Sequence, residues 1–282
     1  MKIRSIEKII NPVGVTEGAG VKLIRSIASP ELDHLDPFLL FDHFGSDNPD
    51  DYMPGFPMHP HRGIETVTYM LSGKVNHKDS LSNSGSITAG DVQWMTSGGG
   101  IMHEEMPEPV DGKMAGFQLW VNLPAKQKMS EPRYQEILSD LIPEVIDNNG
   151  IKVRVIAGVY QSVTGPVTDI QIKPSYLDVT ISPDATFSFD LPGNHSAFAY
   201  VFEGEALIDN QKVGSPKMVI FSDGDQIQIK SGGSTRLLLI SGEPINEPIA
   251  RYGPFVMNTQ EEIRKALMDL RSGTFVWGAQ SK

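Results

Sequence analysis

A short strand-and-glycine pattern occurs twice in the chain, and this repeat constrains the fold more than any other feature of the sequence. Tyr69–Gly73 reads Tyr-Met-Leu-Ser-Gly, and Tyr200–Gly204 reads Tyr-Val-Phe-Glu-Gly, 131 residues later. A Gly-Asp pair and a Gly-Gly pair follow each segment at a spacing of 134 residues. β-branched and aromatic residues fill the intervals between these turns, as is typical of strands. The pattern predicts an all-β chain with two copies of a small β-sandwich or barrel.

Length and composition agree with two β domains. The chain has 282 residues, of which 39% are hydrophobic, so a sizeable core is expected. The 27 glycines and 20 prolines favour many tight turns over long helices. Polar, turn-rich sequence between Pro124 and Ile151 indicates the boundary. We therefore predict an N-terminal domain over residues 1–130 and a C-terminal domain over residues 131–282.

One helix is predicted near the end of the chain. Thr259 and Glu262 have the spacing of a capping box, and Gly273 stands where the helix should end. One apolar face is formed by Ile263, Ala266, Leu267 and Leu270. This spacing predicts that the helix packs on a sheet.

Charge and cysteine content exclude several classes of function. The net charge is −11, which disfavours a direct partner among nucleic acids. The absence of cysteine excludes disulfides, cysteine-ligated zinc, iron–sulfur clusters and thiol catalysis. The charged start of the chain lacks a secretory apolar region, and no apolar run is long enough to cross a bilayer. We therefore expect a cytoplasmic protein with no membrane partner.

The residues with metal-ligand chemistry lie in the first half of the chain. His59 and His61 are two residues apart, as are His103 and Glu105, and residues at this spacing share one face of a strand. If the two strands face each other across a barrel, three imidazoles and one carboxylate converge. Imidazole suits iron, copper, nickel and zinc, and the carboxylate favours iron or manganese. Four protein ligands in an octahedron leave two neighbouring positions for a bidentate oxygen ligand, or for substrate and dioxygen.

Either pair alone is more often a hydrogen-bonded or solvated pair than a metal site. Both pairs lie among glycine turns of the same predicted domain, and together they favour metal binding. Glu65 should share the face of His59 and His61, as a fifth ligand, a hydrogen-bonding partner of a histidine, or an inward acid. We favour the hydrogen-bonding partner. His77 is expected at the surface.

The remaining candidates carry less weight. His34 and His43 are expected in loops or at the edge of the core, and His195 is not expected to bind metal. The aromatic and methionine residues that could line a pocket are Phe56, Trp94, Met95, Phe117 and Trp120. The second repeat has Asp190-Leu191-Pro192 in place of the His-x-His motif and lacks a His-x-Glu after its Gly-Gly pair. Only one of the two domains is therefore expected to bind metal.

Several segments together resemble the pirin family. They are His59–Met70, Asn76–Ser80, Gly90–Thr96, Gly100–Pro107, Phe117–Pro124 and Tyr252–Thr259. The resemblance covers nearly the whole chain. It implies a bicupin: two cupin-type domains, the second without metal ligands, and a C-terminal helix. It also implies that His59, His61, His103 and Glu105 bind one divalent metal, usually Fe(II), with manganese, nickel, copper, cobalt or zinc as alternatives.

The resemblance further implies a function. Some pirins resemble quercetinases, which open the heterocycle of a flavonol with dioxygen and release carbon monoxide. On that basis we expect a metal-dependent dioxygenase of the quercetin 2,3-dioxygenase type, with a phenolic aromatic substrate, dioxygen as co-substrate and Glu105 as general base. The alternative is a non-enzymatic, pirin-type regulator whose metal is structural or redox-sensing and which binds a partner protein.

Overall fold

The computed structural model describes residues 1–170 and 172–278, and most of them are in strands. The strands are β1 (Ile6–Ile10), β2 (Val13–Glu17), β3 (Val21–Ile27), β4 (Phe38–Ser46), β5 (Phe56–His61), β6 (Ile64–Ser72), β7 (Lys74–Asp79), β8 (Ser84–Thr88), β9 (Val92–Thr96), β10 (Ile101–Glu108), β11 (Met114–Asn122), β12 (Arg133–Ile137), β13 (Glu144–Ile146), β14 (Ile151–Ala157), β15 (Val159–Tyr160), β16 (Val163–Thr164), β17 (Ser175–Ile181), β18 (Thr186–Asp190), β19 (Ser196–Glu203), β20 (Glu205–Ile208), β21 (Gln211–Gly214), β22 (Lys217–Phe221), β23 (Gln226–Ser231), β24 (Thr235–Gly242), β25 (Ala250–Tyr252) and β26 (Phe255–Met257). The helix α1 covers Gln260–Ser272, and three short 3-10 turns lie at Pro49–Asp51, Ala125–Gln127 and Ser139–Leu141. Among the residues described, no helix is long and apolar enough to span a bilayer.

The chain divides into two compact units, and each is discontinuous in sequence. The N-unit consists of Gly14–Ala28, Phe38–Ser139 and the described chain from Ile245 onward. The C-unit consists of Met1–Val13, Ser29–Pro37 and Asp140–Pro244.

Both units contain the same arrangement of antiparallel sheets. The N-unit has a seven-stranded sheet in the order β12-β9-β6-β11-β4-β3-β2 and a four-stranded sheet in the order β5-β10-β7-β8. The C-unit has a seven-stranded sheet in the order β1-β22-β19-β24-β17-β14-β13 and a four-stranded sheet in the order β18-β23-β20-β21. Read in the same direction, the strand orders of the two units match position by position, so that β6 corresponds to β19 and β10 corresponds to β23. The predicted fold, all-β with two sandwich or barrel units of cupin type, is confirmed.

The first half of the predicted repeat is confirmed and the second half is wrong. Strands β6 and β19, which carry Tyr69 and Tyr200, occupy the same sheet position. However, Gly90-Asp91 precedes β9, whereas Gly224-Asp225 precedes β23, the counterpart of β10. The cause is a shorter hairpin: β20 and β21 are joined by two residues, both with positive φ, where four residues join β7 and β8.

The bounds of the compact units differ from a single division at residue 130. Strand β1 pairs with β22 at the edge of the C-unit, in the place that β12 takes beside β9 in the N-unit. The segment from Ile245 onward packs in the N-unit. The physical reason is that one edge strand of the C-unit comes from the start of the chain. The division into an N-terminal domain over residues 1–130 and a C-terminal domain over residues 131–282 stays a prediction.

Helix α1 begins and ends where the sequence predicts. Glu262 N donates to the Thr259 hydroxyl at 3.2 Å, and Thr259 N donates to the Glu262 carboxylate at 2.8 Å. Gly273 follows the helix with φ of 75°, a left-handed conformation that glycine adopts without strain. The helix packs through Ile263 and Ala266 against a cluster that includes residues of β25 and β26.

The turn between β5 and β6 is fixed by the last segment of the N-unit. Arg62 is buried, and its guanidinium donates to Asp269 Oδ2 at 2.7 Å and to the Phe275 carbonyl at 3.0 Å. Gly63 has φ of 80°, and a Cβ there would clash with the Val256 carbonyl oxygen. The buried Lys128 ammonium donates to the carbonyls of Gly63 and Val256 at 3.0 and 2.9 Å. Contacts with the C-terminal helix region, with β26 and with Lys128 therefore restrain the turn directly after His61.

Candidate metal centre

Three histidines converge inside the N-unit. His59 and His61 lie on β5 and His103 lies on β10, and His103 is the cross-strand partner of His59. One ligand nitrogen from each ring lies within 4.8 Å of the others. The two strands are hydrogen-bonded neighbours in the four-stranded sheet, so the expectation that they face each other across the barrel is wrong. Neighbouring antiparallel strands place opposite residues on one face, which brings the rings together equally well.

The geometry of the three rings fits a metal ion. The Nε2 atoms of His59 and His61 are 3.0 Å apart. Two nitrogen ligands at right angles, each about 2.1 Å from an ion, have this separation. His59 Nδ1 lies 3.0 Å from the Pro57 carbonyl, which places the ring proton on Nδ1 and leaves the Nε2 lone pair for a ligand. His61 Nδ1 and both nitrogens of His103 are buried without a hydrogen-bond partner among the described residues.

Burial keeps the three imidazoles neutral, which is the form that binds metal. Desolvation lowers the pKa of His59, and it lowers the pKa of His61 and His103 well below the usual range. Neighbouring histidines lower the last two further, since a second positive charge would be repelled. The cluster would therefore be costly to protonate and suits a divalent cation.

Glu105 follows His103 by two residues and lines the same cavity as His59 and His61. Its Oε1 lies 3.2 Å from the Thr68 hydroxyl, whose single proton is shared between Glu105 and Gln118 Oε1, 2.7 Å away. Burial raises the pKa of Glu105 to about 7, opposed by the hydrogen bond from Thr68. The carboxylate lies outside the group of three ligand atoms, so its coordination of metal stays a prediction.

Glu65 does not contact the histidines, so the preferred interpretation of a histidine partner is wrong. Its carboxylate accepts hydrogen bonds from Trp94 Nε1 at 2.9 Å and from the Thr96 hydroxyl at 2.8 Å. Burial raises its pKa, against these two hydrogen bonds. The reason is the turn at Gly63, which ends β5 and starts β6 in the other sheet. The even spacing from His61 therefore does not continue through one strand.

The other histidines lie outside the cluster. His77 is buried, so its predicted surface position is wrong: it contacts Glu136 and stacks on Tyr134, with ring centroids 5.7 Å apart. His43 packs on Phe117, with ring centroids 4.7 Å apart, and burial lowers its pKa to about 4. Of the residues described, none outside His59, His61 and His103 forms a metal-ligand group. The described residues of the C-unit therefore contain no second cluster of this kind.

A cavity of about 350 Å³ opens beside the histidines. Of the predicted lining residues, Phe56 and Trp120 line it, and Trp120 stands edge-on to His61 with ring centroids 5.2 Å apart. Trp94, Met95 and Phe117 do not line it. Thr68 and Gln118 also line the cavity, and neither is among the residues predicted from the sequence. Strand alternation was the available signal, because Gln118 and Trp120 share one face of β11.

Comparison with known proteins identifies the family. The Pirin family model matches residues 20–121, and the model of the pirin C-terminal cupin domain matches residues 176–276. The chain belongs to the pirin family. This membership agrees with the resemblance noted in the sequence. The histidine cluster lies within the first of the two matched ranges.

Relatives of similar length are named either as pirins or, provisionally, as quercetin 2,3-dioxygenases. Human pirin is 42% identical over 267 residues, covering 91% of this chain and 89% of the human protein. A Pseudomonas aeruginosa protein provisionally named quercetin 2,3-dioxygenase is 43% identical over 265 residues, covering 92% and 93%. The crystal structure of a quercetin 2,3-dioxygenase from Acinetobacter baumannii has a TM-score of 0.90 and 33% identity, covering 97% of this chain and 99% of that one.

Proposed function

We propose that this pirin is a metal-dependent dioxygenase of the quercetin 2,3-dioxygenase type, acting on flavonol-like phenolics. The observation that supports this most is the neutral histidine cluster at the wall of a cavity that also contains the Glu105 carboxyl. The relatives named for quercetin dioxygenase activity agree with it. Fe(II) is the proposed metal, since imidazoles with one carboxylate suit it.

His59, His61 and His103 would hold the metal, with Glu105 as the fourth ligand. When bound, the ion would lower the pKa of a coordinated phenol and activate the resulting flavonolate toward dioxygen. Glu105 would accept the phenol proton, since its carboxylate lines the same cavity as His59 and His61. Trp120 and Phe56 supply flat apolar walls on which an aromatic ring can lie.

Turnover of a flavonol by the purified protein tests this proposal. Iron(II)-loaded protein is incubated with quercetin and oxygen, and the flavonol absorbance and released carbon monoxide are measured. We expect both substrate loss and carbon monoxide, in equal molar amounts. Elemental analysis of protein purified without added metal identifies the resident ion.

Absence of turnover with iron, manganese, nickel, copper, cobalt and zinc would contradict the proposal. That result would favour the alternative, in which the metal is structural or redox-sensing and the protein binds a partner protein. His195→Ala is a suitable control, because His195 is outside the cluster.

A further inference from the structure

A row of polar side chains crosses the inner face of the large N-unit sheet. Thr68 on β6 is the cross-strand partner of Gln118 on β11, and Gln118 is the partner of Asp42 on β4. Asp42 is in turn the partner of Arg25 on β3. All four line the cavity beside the histidines. We call these four residues the polar row.

Apolar residues border the polar row on both sides. Leu40 and Trp120 are partners on one side, and Phe44 lies opposite Leu23 and Gly116 on the other. Each of these side chains except the glycine also lines the cavity. On this face of the sheet the row is therefore a narrow polar strip between apolar side chains.

The two ends of the row differ in what they contact. Thr68, at one end, lies 3.2 Å from the Glu105 carboxylate. At the other end the Arg25 guanidinium donates to both Asp42 oxygens at 2.7 Å and to Glu17 at 2.7 Å. Neighbouring strands are about 4.8 Å apart, so Asp42 lies about 10 Å from Thr68 along the row. A ligand held near Glu105 would reach Asp42 only if it were elongated.

The ion pair on this face differs in its surroundings from a similar pair in the C-unit, because it lines a cavity. The C-unit has a similar pair, in which Arg236 donates to Asp178 at 3.0 and 2.7 Å. There, Leu177 and Val179 on either side of Asp178 belong to the buried core cluster, so Asp178 points to the opposite face. Burying an ion pair in a sheet interior is often no more stabilising than apolar residues of similar size. A pair that faces a cavity instead offers a fixed acceptor to a ligand.

The chemistry of the row indicates what it would recognise. Three of the five Arg25 N–H groups donate to Asp42 and Glu17, whereas each Asp42 oxygen keeps a second lone pair. The distal group that Asp42 suits is therefore a hydrogen-bond donor such as a phenolic hydroxyl.

We infer that the polar row selects elongated, flat polyphenols as substrates. Such a compound has a chelating oxygen pair at one point and a donor hydroxyl about 10 Å away. Asp42, positioned by Arg25, is the specificity-determining residue. This inference rests on the proposed function, because it assigns the substrate class of the same site.

Equilibrium binding under nitrogen tests the inference without turnover. The probes are 3-hydroxyflavone, which has the chelating pair alone, 3,7-dihydroxyflavone and 3,4′-dihydroxyflavone, titrated into iron(II)-loaded protein and followed by absorbance. We expect at least one dihydroxy compound to bind about tenfold or more tightly than 3-hydroxyflavone, since a hydrogen bond to a charged acceptor has that effect. Methylating the distal hydroxyl of that compound should return its affinity to that of 3-hydroxyflavone. Equal affinity for all probes would overturn the inference.

Paired substitutions test whether the Arg25–Asp42 ion pair is the source of the affinity gain from the distal hydroxyl. Arg25→Met with Asp42→Leu removes the ion pair as a unit, and the affinity gain from the distal hydroxyl should disappear. Arg236→Met with Asp178→Leu removes an ion pair of the C-unit that does not line this cavity, and it should keep the gain. An unchanged gain in the first double variant overturns the inference. If that variant does not fold, Asp42→Asn is measured instead and should reduce the gain, and the hydroxyl-against-methyl-ether comparison on the unaltered protein decides independently.

Failure of the inference and failure of the proposed function give different results. Flavonol turnover with no dependence of affinity on the distal hydroxyl overturns the inference alone. Hydroxyl-dependent binding with no turnover under oxygen, for any of the metals above, overturns the dioxygenase proposal alone. No binding of any flavonol overturns both.

Discussion

The interiors of the two units differ although their sheets have the same strand order. In the N-unit, the β5–β10 pair presents His59 opposite His103. In the C-unit, the corresponding β18–β23 pair presents Phe187 opposite Ile229 and Phe189 opposite Ile227, and all four are buried in the apolar core. A strand pair of this fold therefore supports either a cluster of histidines or a filled apolar core. The choice depends on a few side chains rather than on the architecture.

Loss of a ligand should have the largest effect on this comparison. His103→Ala removes one of the three proposed histidine ligands, so metal content should fall to background. Flavonol turnover should then return to the uncatalysed rate, a loss of about a millionfold or more. Elemental analysis and flavonol absorbance measure the two effects. Full metal content in this variant would show that the ion binds elsewhere.

Glu105→Gln should retain the metal and lose most of the turnover. The amide cannot accept the phenol proton, so the rate should fall by about 10² to 10⁴. Glu104→Gln is the matched control, because alternation along β10 turns Glu104 away from His103 and Glu105. Unchanged turnover in Glu105→Gln would refute the role of Glu105 as base.

Acid should destabilise the protein through His43 of the N-unit. The pKa of His43 is about 4 in the folded protein and near 6.5 in the unfolded chain, which therefore binds the proton more tightly. The stabilisation by neutral His43 is complete above about pH 6.5 and is lost as pH falls to about 4, at a cost of about 3 kcal/mol. Urea unfolding at several pH values should show this slope, and His43→Phe should reduce it by that amount. An identical slope in the variant would contradict the assignment.

Two substitutions would replace a histidine pair of the N-unit by the apolar pair found at the equivalent strands of the C-unit. His59→Phe with His103→Ile reproduces the Phe187 and Ile229 pair, and metal binding should be lost. The free energy of unfolding of the metal-free protein should rise by about 2 kcal/mol, because imidazole nitrogens no longer lie buried without partners. Chemical denaturation in the presence of a chelator measures this. A large loss of stability would show that the two interiors are not interchangeable.

The smallest effect concerns α1, a helix of the N-unit. Thr259→Ala removes the hydroxyl that caps Glu262 N and should cost about 1 kcal/mol of stability. Thr259→Ser keeps the cap and should restore most of it. Denaturant midpoints measure the difference, and equal midpoints for alanine and serine would contradict a capping contribution.

Sequence patterns predicted the features that depend on local periodicity. Residues two apart on a strand share a face, which identified the three histidines, and the capping box identified α1. The position of Glu65 was not predictable in this way, because the turn at Gly63 transfers the chain to another sheet. The burial of His77 depends on Tyr134 and Glu136, which lie on β12 more than fifty residues later.

The polar row was not predictable for a similar reason. Its members come from four strands, and no spacing along the chain relates Arg25, Asp42, Thr68 and Gln118. Only the register of β3, β4, β11 and β6 aligns them. Long-range register depends on tertiary packing, and single-sequence periodicity does not contain it.

The attachment of Arg62 to Asp269 has a consequence for the order of events during synthesis. The two residues are 207 positions apart, and Arg62 directly follows His61. A ribosome releases the three histidines well before it releases the helix that anchors their neighbouring turn. Nascent chains should therefore expose the three histidines before the turn beside them is fixed, which would give the proposed ion access from solution before the last segment docks.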